Sequence, residues 1–258
     1  MILIDTHAHL YLDEFENDIE TVIQNAVRAG VKHILCPNID CASLIVLDSL
    51  CANYPGYCHP MMGLHPTSVK ENYQDELETI RKRLFDSPFV TYKAVGEIGI
   101  DLYWDKTFEK EQEEAFALQL EWAVTKNIPV AIHSRSSFDS IMTVLQDFNT
   151  LTGVFHCFSG DVKQAEQVVN KGFLLGIGGV VTFKNAGLDK VVQAMDLSNI
   201  ILETDAPYLA PVPFRGKRNE SAYVSLIAQK IAQLKDVSYA EVCNITTANA
   251  VKLFNLAV

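Results

Sequence analysis

Short apolar runs and segments of helical periodicity alternate from one end of this chain to the other, and that alternation limits the folds open to it. Candidate strands lie at residues 2–7, 32–37, 59–64, 92–98, 129–133, 153–157, 173–181 and 199–204. Between them apolar residues recur every three or four positions. Ile19, Val22, Ile23, Ala26 and Val27 make one such face, followed by Gly30 where a helix C-terminus favours glycine. Val162, Ala165, Val168 and Val169 repeat the pattern before Gly172, and the stretch from Phe108 to Lys126 carries Phe116, Leu120, Ala123 and Val124 on one side. Ser238 and Glu241 have the spacing of a capping box ahead of Val242 and Ile245. Eight strand–helix repeats predict an α/β chain folded as a (β/α)8 TIM barrel, with a doubly wound open sheet as the alternative the pattern leaves open. A chain of 258 residues, 48% of them hydrophobic, can bury one large core, and no linker or low-complexity tract divides it. Residues 1–258 therefore read as a single domain.

Polar residues punctuate the ends of these runs. His7 and His9 close the first, His65 the third, Glu97 the fourth, His133 the fifth, His156 the sixth and Asp205 the eighth. Barrel enzymes place their chemistry at the C-terminal mouth of the strands, which is where this pattern would gather these side chains. In His7-Ala8-His9, residues two apart on a strand share a face, so both imidazoles can converge on one point. His33 and His59 fall near strand starts and receive no role.

His7, His9, His133 and His156 with Glu97 and Asp205 form a nitrogen and oxygen ligand set suited to Zn²⁺, Mn²⁺, Co²⁺, Ni²⁺ or, less well, Mg²⁺. Six ligands are too many for one tetrahedral catalytic ion and suit two divalent ions about 3.5–4 Å apart, with Glu97 as the bridging carboxylate. Cys157 adjoins His156, but alternation would turn it to the opposite face. Glu203 shares a face with Asp205; the latter lies nearer the mouth and is preferred as ligand, leaving Glu203 to support a ligand imidazole. Asp5 lies similarly below His7.

The balance of 21 basic against 32 acidic residues, −11 overall, supplies no global attraction for nucleic acid, so a polyanion would need local cations or metal ions. Arg135 could face the mouth and meet phosphate, or be a solvated loop arginine. Arg215-Gly216-Lys217-Arg218 follows the eighth strand, where this fold often holds phosphate, although a charge run is also an ordinary solvated face. Gly176-Ile177-Gly178-Gly179 lacks the spacing of a dinucleotide fingerprint and reads as close packing. No apolar stretch is long enough to span a bilayer, no secretory leader is recognisable and the six cysteines lack C-x-x-C spacing; a cytoplasmic protein with reduced thiols is expected, with no membrane association and no obligate protein partner.

Seven motifs occur in order: Asp5-Thr6-His7-Ala8-His9-Leu10, Gly63-Leu64-His65-Pro66, Ala94-Val95-Gly96-Glu97-Ile98-Gly99-Ile100-Asp101, Ile132-His133-Ser134-Arg135, Phe155-His156-Cys157-Phe158-Ser159-Gly160, Leu202-Glu203-Thr204-Asp205-Ala206-Pro207-Tyr208 and Arg215-Gly216-Lys217-Arg218-Asn219-Glu220. With them the chain resembles, over essentially its whole length, the TatD family of metal-dependent deoxyribonucleases in the amidohydrolase superfamily. The resemblance implies a barrel holding divalent metals and hydrolysing phosphodiester bonds in DNA, from an end and preferably in single strands. It implies one ion on His7, His9, Glu97 and Asp205, a second on Glu97, His133 and His156, and His65 against a substrate phosphate. Ser221 departs from the proline common in relatives, outside the ligand set. Other superfamily members bridge their metals with a carboxylated lysine; Lys93 lies four residues before Glu97, about 13 Å back along a strand, and cannot easily serve. Asp205 is the expected acceptor of the attacking water's proton. Hydrolysis of an amide or ester, as by a deaminase or aminoacyl-tRNA deacylase, and a metal-bearing binding module are the competing readings.

Overall fold

Eight strands pair in parallel in the computed structural model, which describes residues 1–87 and 90–257. They are β1 (Leu3–Asp5), β2 (Val31–Pro37), β3 (Cys58–Met61), β4 (Val95–Asp101), β5 (Val130–Arg135), β6 (Gly153–Phe155), β7 (Leu174–Ile177) and β8 (Ile200–Leu202). Continuous ladders run β1-β2-β3 and β4-β5-β6-β7-β8. Both seams are closed by backbone bonds. Gly96 N donates to Met62 O at 3.0 Å between β3 and β4, while Thr6 N donates to Leu202 O at 3.0 Å and Asp205 N to His7 O at 2.9 Å between β8 and β1. An open sheet would leave two edges; here the last strand returns to the first, giving a (β/α)8 barrel.

The crossovers carry α1 (Ile19–Arg28), α2 (Leu44–Asn53), α3 (Tyr73–Asp86), α4 (Glu109–Lys126), α5 (Phe138–Val144), α6 (Val162–Asn170), α7 (Leu188–Ala194) and α8 (Val224–Lys235), with α9 (Tyr239–Phe254) after them. The expected faces are buried on α1 through Val22, Ile23 and Ala26 and on α4 through Phe116, Leu120 and Ala123, whereas Val27 and Val124, at the margins of those faces, are exposed. No helix among the described residues is long and apolar enough to cross a membrane.

A second apolar cluster fills the barrel below its mouth: Ile4, Leu35, Met61, Ala131, Val154 and Ile201, one from each of six strands, packed with Ala250, Phe254 and Leu256 from the C-terminus. The same side-chain rows lead upward to the polar residues. Two positions after Ala131 comes His133, and two after Val154 comes His156, so alternation carries each strand from apolar floor to functional mouth. At the opposite end Lys93 Nζ donates to Asn255 O at 3.0 Å and His33 Nε2 contacts Ala257 O at 2.9 Å. Lys93, His33 and His59 thus belong to the barrel's closed floor.

All eight strands differ from the sequence reading at one end or both, β1, β3, β6 and β8 stopping two or three residues early, and two further differences bear on the site. The seventh strand ends at Ile177 rather than residue 181, because Gly179–Thr182 turns into a 3-10 helix. The fourth begins at Val95 and runs on to Asp101, with a register shift against β5 between Val95 and Ile98. A bulge of this kind re-aims side chains, and Glu97 sits inside it. Beyond it Gly99 takes φ +145°, and a Cβ there would collide with the His133 carbonyl, so β4 and β5 meet only because that residue is glycine.

Candidate metal centre

Glu97 is 2% exposed and its two oxygens face different histidines. Oε2 lies 3.1 Å from His7 Nε2 and 3.5 Å from His9 Nε2. Oε1 lies 2.9 Å from His133 Nδ1, 3.3 Å from His65 Nε2 and 3.7 Å from His156 Nε2. Asp205 follows β8 at φ +58°, a left-handed conformation aspartate tolerates, and sets Oδ1 3.7 Å from both His9 Nε2 and His156 Nε2. The potential ligand atoms form overlapping groups within 4.8 Å: His7, His9 and Glu97; His7, His156 and Asp205; His65, Glu97 and His133. The six residues read as ligands all meet, but their grouping differs from the one the resemblance implies. His156 sits with His7 and Asp205, and His65 stands beside His133.

The outer nitrogen of each imidazole decides which way its lone pair points. Tyr11 Oη donates to Pro37 O at 2.6 Å, so it is free to accept from His9 Nδ1, 3.0 Å away, and His9 Nε2 turns its lone pair inward. Asp101 Oδ2, 2.9 Å from His133 Nε2, holds a proton there and leaves Nδ1 as the lone pair facing Glu97. Glu203 Oε1 lies 3.0 Å from His156 Nδ1, close though poorly aligned for a hydrogen bond, and accepts from Cys157 N at 2.5 Å. Gly176 makes room for that carboxylate, since a Cβ would collide with Glu203 Oε2. His65 is the opposite case. Its Nδ1 accepts from Thr67 N at 3.1 Å, so the proton of the neutral ring sits on Nε2, which faces the site as a donor and not as a ligand. Asp101, Tyr11 and Thr67 went unassigned in the sequence. For Tyr11 a signal existed, the spacing of positions 7, 9 and 11; Asp101 was hidden because the strand seemed to end at residue 98.

The donor set opposes itself electrostatically unless cations share it. Burial pushes His7 well below the usual imidazole range, and charge on His156 adds to this. Burial would lower His156 as well, but the carboxylates of Glu203, Glu97 and Asp205 outweigh it and carry the ring to about 10. Asp205 is raised to about 6 by burial, while Glu97, which burial would raise, is held well below the carboxylate range by His65, His7 and His156. The His7 and His156 rings nevertheless stack with centroids 3.4 Å apart and planes at 19°. Divalent ions would satisfy the inward lone pairs and neutralise both carboxylates, so the residues present fit such ions. Cys157 needs a correction. It lies within 4.8 Å of the His156 and Glu203 ligand atoms, because β6 ends at Phe155 and Cys157 takes φ +45°, where strand alternation no longer applies. Burial, then Asp205, holds its thiol well above the usual range, which disfavours the thiolate a metal would need.

Asp5 is fully buried below His7 and accepts from Thr204 N at 2.8 Å and Thr204 Oγ1 at 2.6 Å, tying β1 to the end of β8. Arg135 closes β5 and is exposed, with its guanidinium 3.9 Å above the Tyr103 ring. Arg215 lies 4.5 Å over the Phe183 ring, and Lys217 is exposed on the same loop. Arg218 does not share their setting. Its Nη1 and Nη2 donate to Asp18 at 2.8 and 2.7 Å, so the three-charge run is reduced to two cations by an ion pair with the start of α1. A cavity of about 510 Å³ opens beside His156, lined by Phe138, Phe155, Phe158 and several serines, among them Ser134, Ser137 and Ser159.

A family profile described as TatD related DNase matches residues 4–255. The chain is 35% identical over 258 residues to YabD of Bacillus subtilis, described as an uncharacterized metal-dependent hydrolase, covering 99% of this chain and 100% of that one. It is 30% identical over 274 residues to YcfH of Escherichia coli K12, which carries the same description, covering 99% and 97%. Among solved structures, the TatD homologue YjjV of E. coli K12 superposes with a TM-score of 0.92 at 30% identity, over 99% of this chain and 98% of that one.

Proposed function

The chain belongs to the TatD family and is a metal-dependent hydrolase, and from that premise we propose that it hydrolyses phosphodiester bonds in DNA with two divalent ions bound about Glu97. The observation that supports the reading is the Glu97 carboxylate, one oxygen 3.1 Å from His7 and the other 2.9 Å from His133, so that each oxygen has its own histidine to share an ion with. His7, His9 and Asp205 would hold one ion and His133 the other, with Glu97 shared and His156 able to serve either, since its Nε2 lies 3.7 Å from both Glu97 Oε1 and Asp205 Oδ1. Bound divalent ions supply Lewis acidity toward a phosphoryl oxygen and lower the pKa of a water.

The remaining work falls to the chain. Asp205 accepts the proton of the attacking water at its carboxylate. His65 donates from Nε2 to a non-bridging phosphate oxygen, the proton kept there by Thr67. Asp101 and Tyr11 hold His133 and His9 in their inward-facing tautomers. Arg215 and Lys217 offer positive charge to the flanking phosphates, and the cavity beside His156 has room for a nucleotide-sized group.

A metal-titrated assay on end-labelled single- and double-stranded DNA tests this. Chelation should abolish cleavage, Mn²⁺, Zn²⁺ or Mg²⁺ should restore it, and elemental analysis should find up to two ions per chain. Turnover of amide or aminoacyl ester substrates with no cleavage of DNA would overturn the phosphodiesterase reading. Full hydrolysis by exhaustively chelated, metal-free protein would overturn the mechanism.

A further inference from the structure

Tyr103 and Trp104 are 57% and 71% exposed at the mouth of the barrel, immediately after β4. Exposed aromatic surface of this size is costly to leave against water and commonly marks a binding surface. The two rings stand edge to face, centroids 4.9 Å apart. The Arg135 guanidinium lies 3.9 Å from the Tyr103 ring centre and 5.1 Å from that of Trp104. The cluster is built into the site. Asp101 Oδ1 accepts from Tyr103 N at 3.0 Å and lies 3.4 Å from Trp104 N, while its Oδ2 is 2.9 Å from His133 Nε2. Leu102 N donates to Arg135 O at 2.9 Å, which ties the aromatic turn to β5. One carboxylate thus positions both a candidate metal ligand and the turn that carries the aromatic pair. At the His9 end, Tyr208 is 49% exposed with its ring 6.2 Å from the His9 ring.

We infer that Tyr103, Trp104 and Arg135 form a stacking subsite for unpaired nucleobases beside the metal centre, with Tyr208 as a second aromatic face at its other end, and that this subsite selects single-stranded nucleic acid. The inference rests on the phosphodiesterase reading above. Aromatic faces interleaved with a guanidinium accept any base, because every base presents a π-face, and the cation serves the neighbouring phosphate. A duplex keeps its bases stacked on one another and cannot offer them. In a chain of net charge −11, affinity for a strand must come from such local contacts and from the metal centre.

The chain contains two tryptophans, and Trp122 is only 5% exposed, so a ligand-induced change in tryptophan emission reports on Trp104. The metal-loaded protein is titrated with a hydrolysis-resistant phosphorothioate oligothymidylate and with an abasic strand of equal length. The base-bearing strand should quench emission and bind more tightly. Trp104→Ala and Tyr103→Ala, compared with the parent by anisotropy of end-labelled strands because the first variant removes the reporting tryptophan, should each raise its Kd about tenfold while leaving the abasic strand unaffected, and Trp104→Phe should restore most of the loss. Equal affinity for both strands, or an Ala variant that keeps the preference for bases, overturns the subsite. Cleavage of unmodified single-stranded DNA is measured alongside. Cleavage without base-dependent binding removes this inference alone, whereas neither binding nor cleavage of either strand removes the phosphodiesterase reading with it.

Discussion

Glu97 and Asp101 stand on the same strand and touch the same histidine from opposite sides, yet their loss should have different consequences. Glu97 faces His7 and His9 through one oxygen and His65, His133 and His156 through the other. Glu97→Gln removes the charge shared by both halves of the site and leaves the volume unchanged. We expect a folded protein that has lost activity by more than the 10- to 100-fold typical of an outer partner, together with bound metal, read by turnover and elemental analysis. Asp101 acts through His133 Nε2. Asp101→Asn can still hold the ring but no longer stabilises its positive side, and metal affinity or activity should fall about 10- to 100-fold with up to two ions still bound at saturating metal. Near wild-type turnover in Glu97→Gln with two metals retained would refute the bridging assignment; an Asp101→Asn variant unchanged in metal titration would refute the supporting one.

At the level of elements, the barrel separates its chemistry from its stability. The mouth collects polar side chains on short strand ends, while the floor is closed by α9 and the residues after it, with Phe254 and Leu256 packed against Ile4, Leu35, Met61 and Ile201. Phe254→Ala should leave a cavity in that floor and cost about 3–5 kcal/mol of stability. Because the floor lies at the far end from Glu97, metal content at saturating metal should not change. Urea unfolding of the variant measures the first and elemental analysis the second. A shift well under 1 kcal/mol would mean that the C-terminus does not plug the barrel.

For the whole molecule, acid sensitivity has a source at the floor as well as at the metal centre. His59 is lowered to about 4 by burial and then by the nearby charges of His33 and Lys93. Its Nε2 lies 2.9 Å from His33 Nδ1. The folded state therefore keeps His59 neutral at pH values where the unfolded chain, with an ordinary imidazole, takes up a proton. The stability this contributes is complete above about pH 6.5 and is lost as pH falls from there toward 4. His59 is partly exposed, and solvent screening brings the effect to roughly 1 kcal/mol. His59→Gln should remove that part of the slope. Urea midpoints at neutral pH and in mild acid, compared between the two proteins, isolate it from the metal-site imidazoles common to both, and parallel slopes would discount it.

The alternation of apolar runs with helical periods is a local property, and local periodicity was enough to favour the barrel over an open sheet, which only the closed seams exclude, and to mark His7, His9, Glu97, His133, His156 and Asp205 as strand-end residues that could meet. Short-range chemistry likewise made Glu203 a support for some ligand imidazole, which the fold identifies as that of His156, and left His33, His59 and Lys93 out of the site. What periodicity could not hold was the bulge in β4, because a register shift is settled between two strands, and with it went Asp101. The tautomers of His9 and His65 depend on Pro37 O and Thr67 N, and the direction of a lone pair has no trace in residue type. Arg218 belonged to a run that could hold phosphate or simply be solvated until its guanidinium met Asp18, 200 residues away, and Arg135 could be a phosphate contact or a solvated loop arginine until it met Tyr103. A long charged side chain takes the partner that folding brings within reach, so only the closed barrel could decide between a salt bridge, a stacked ring and an open cation.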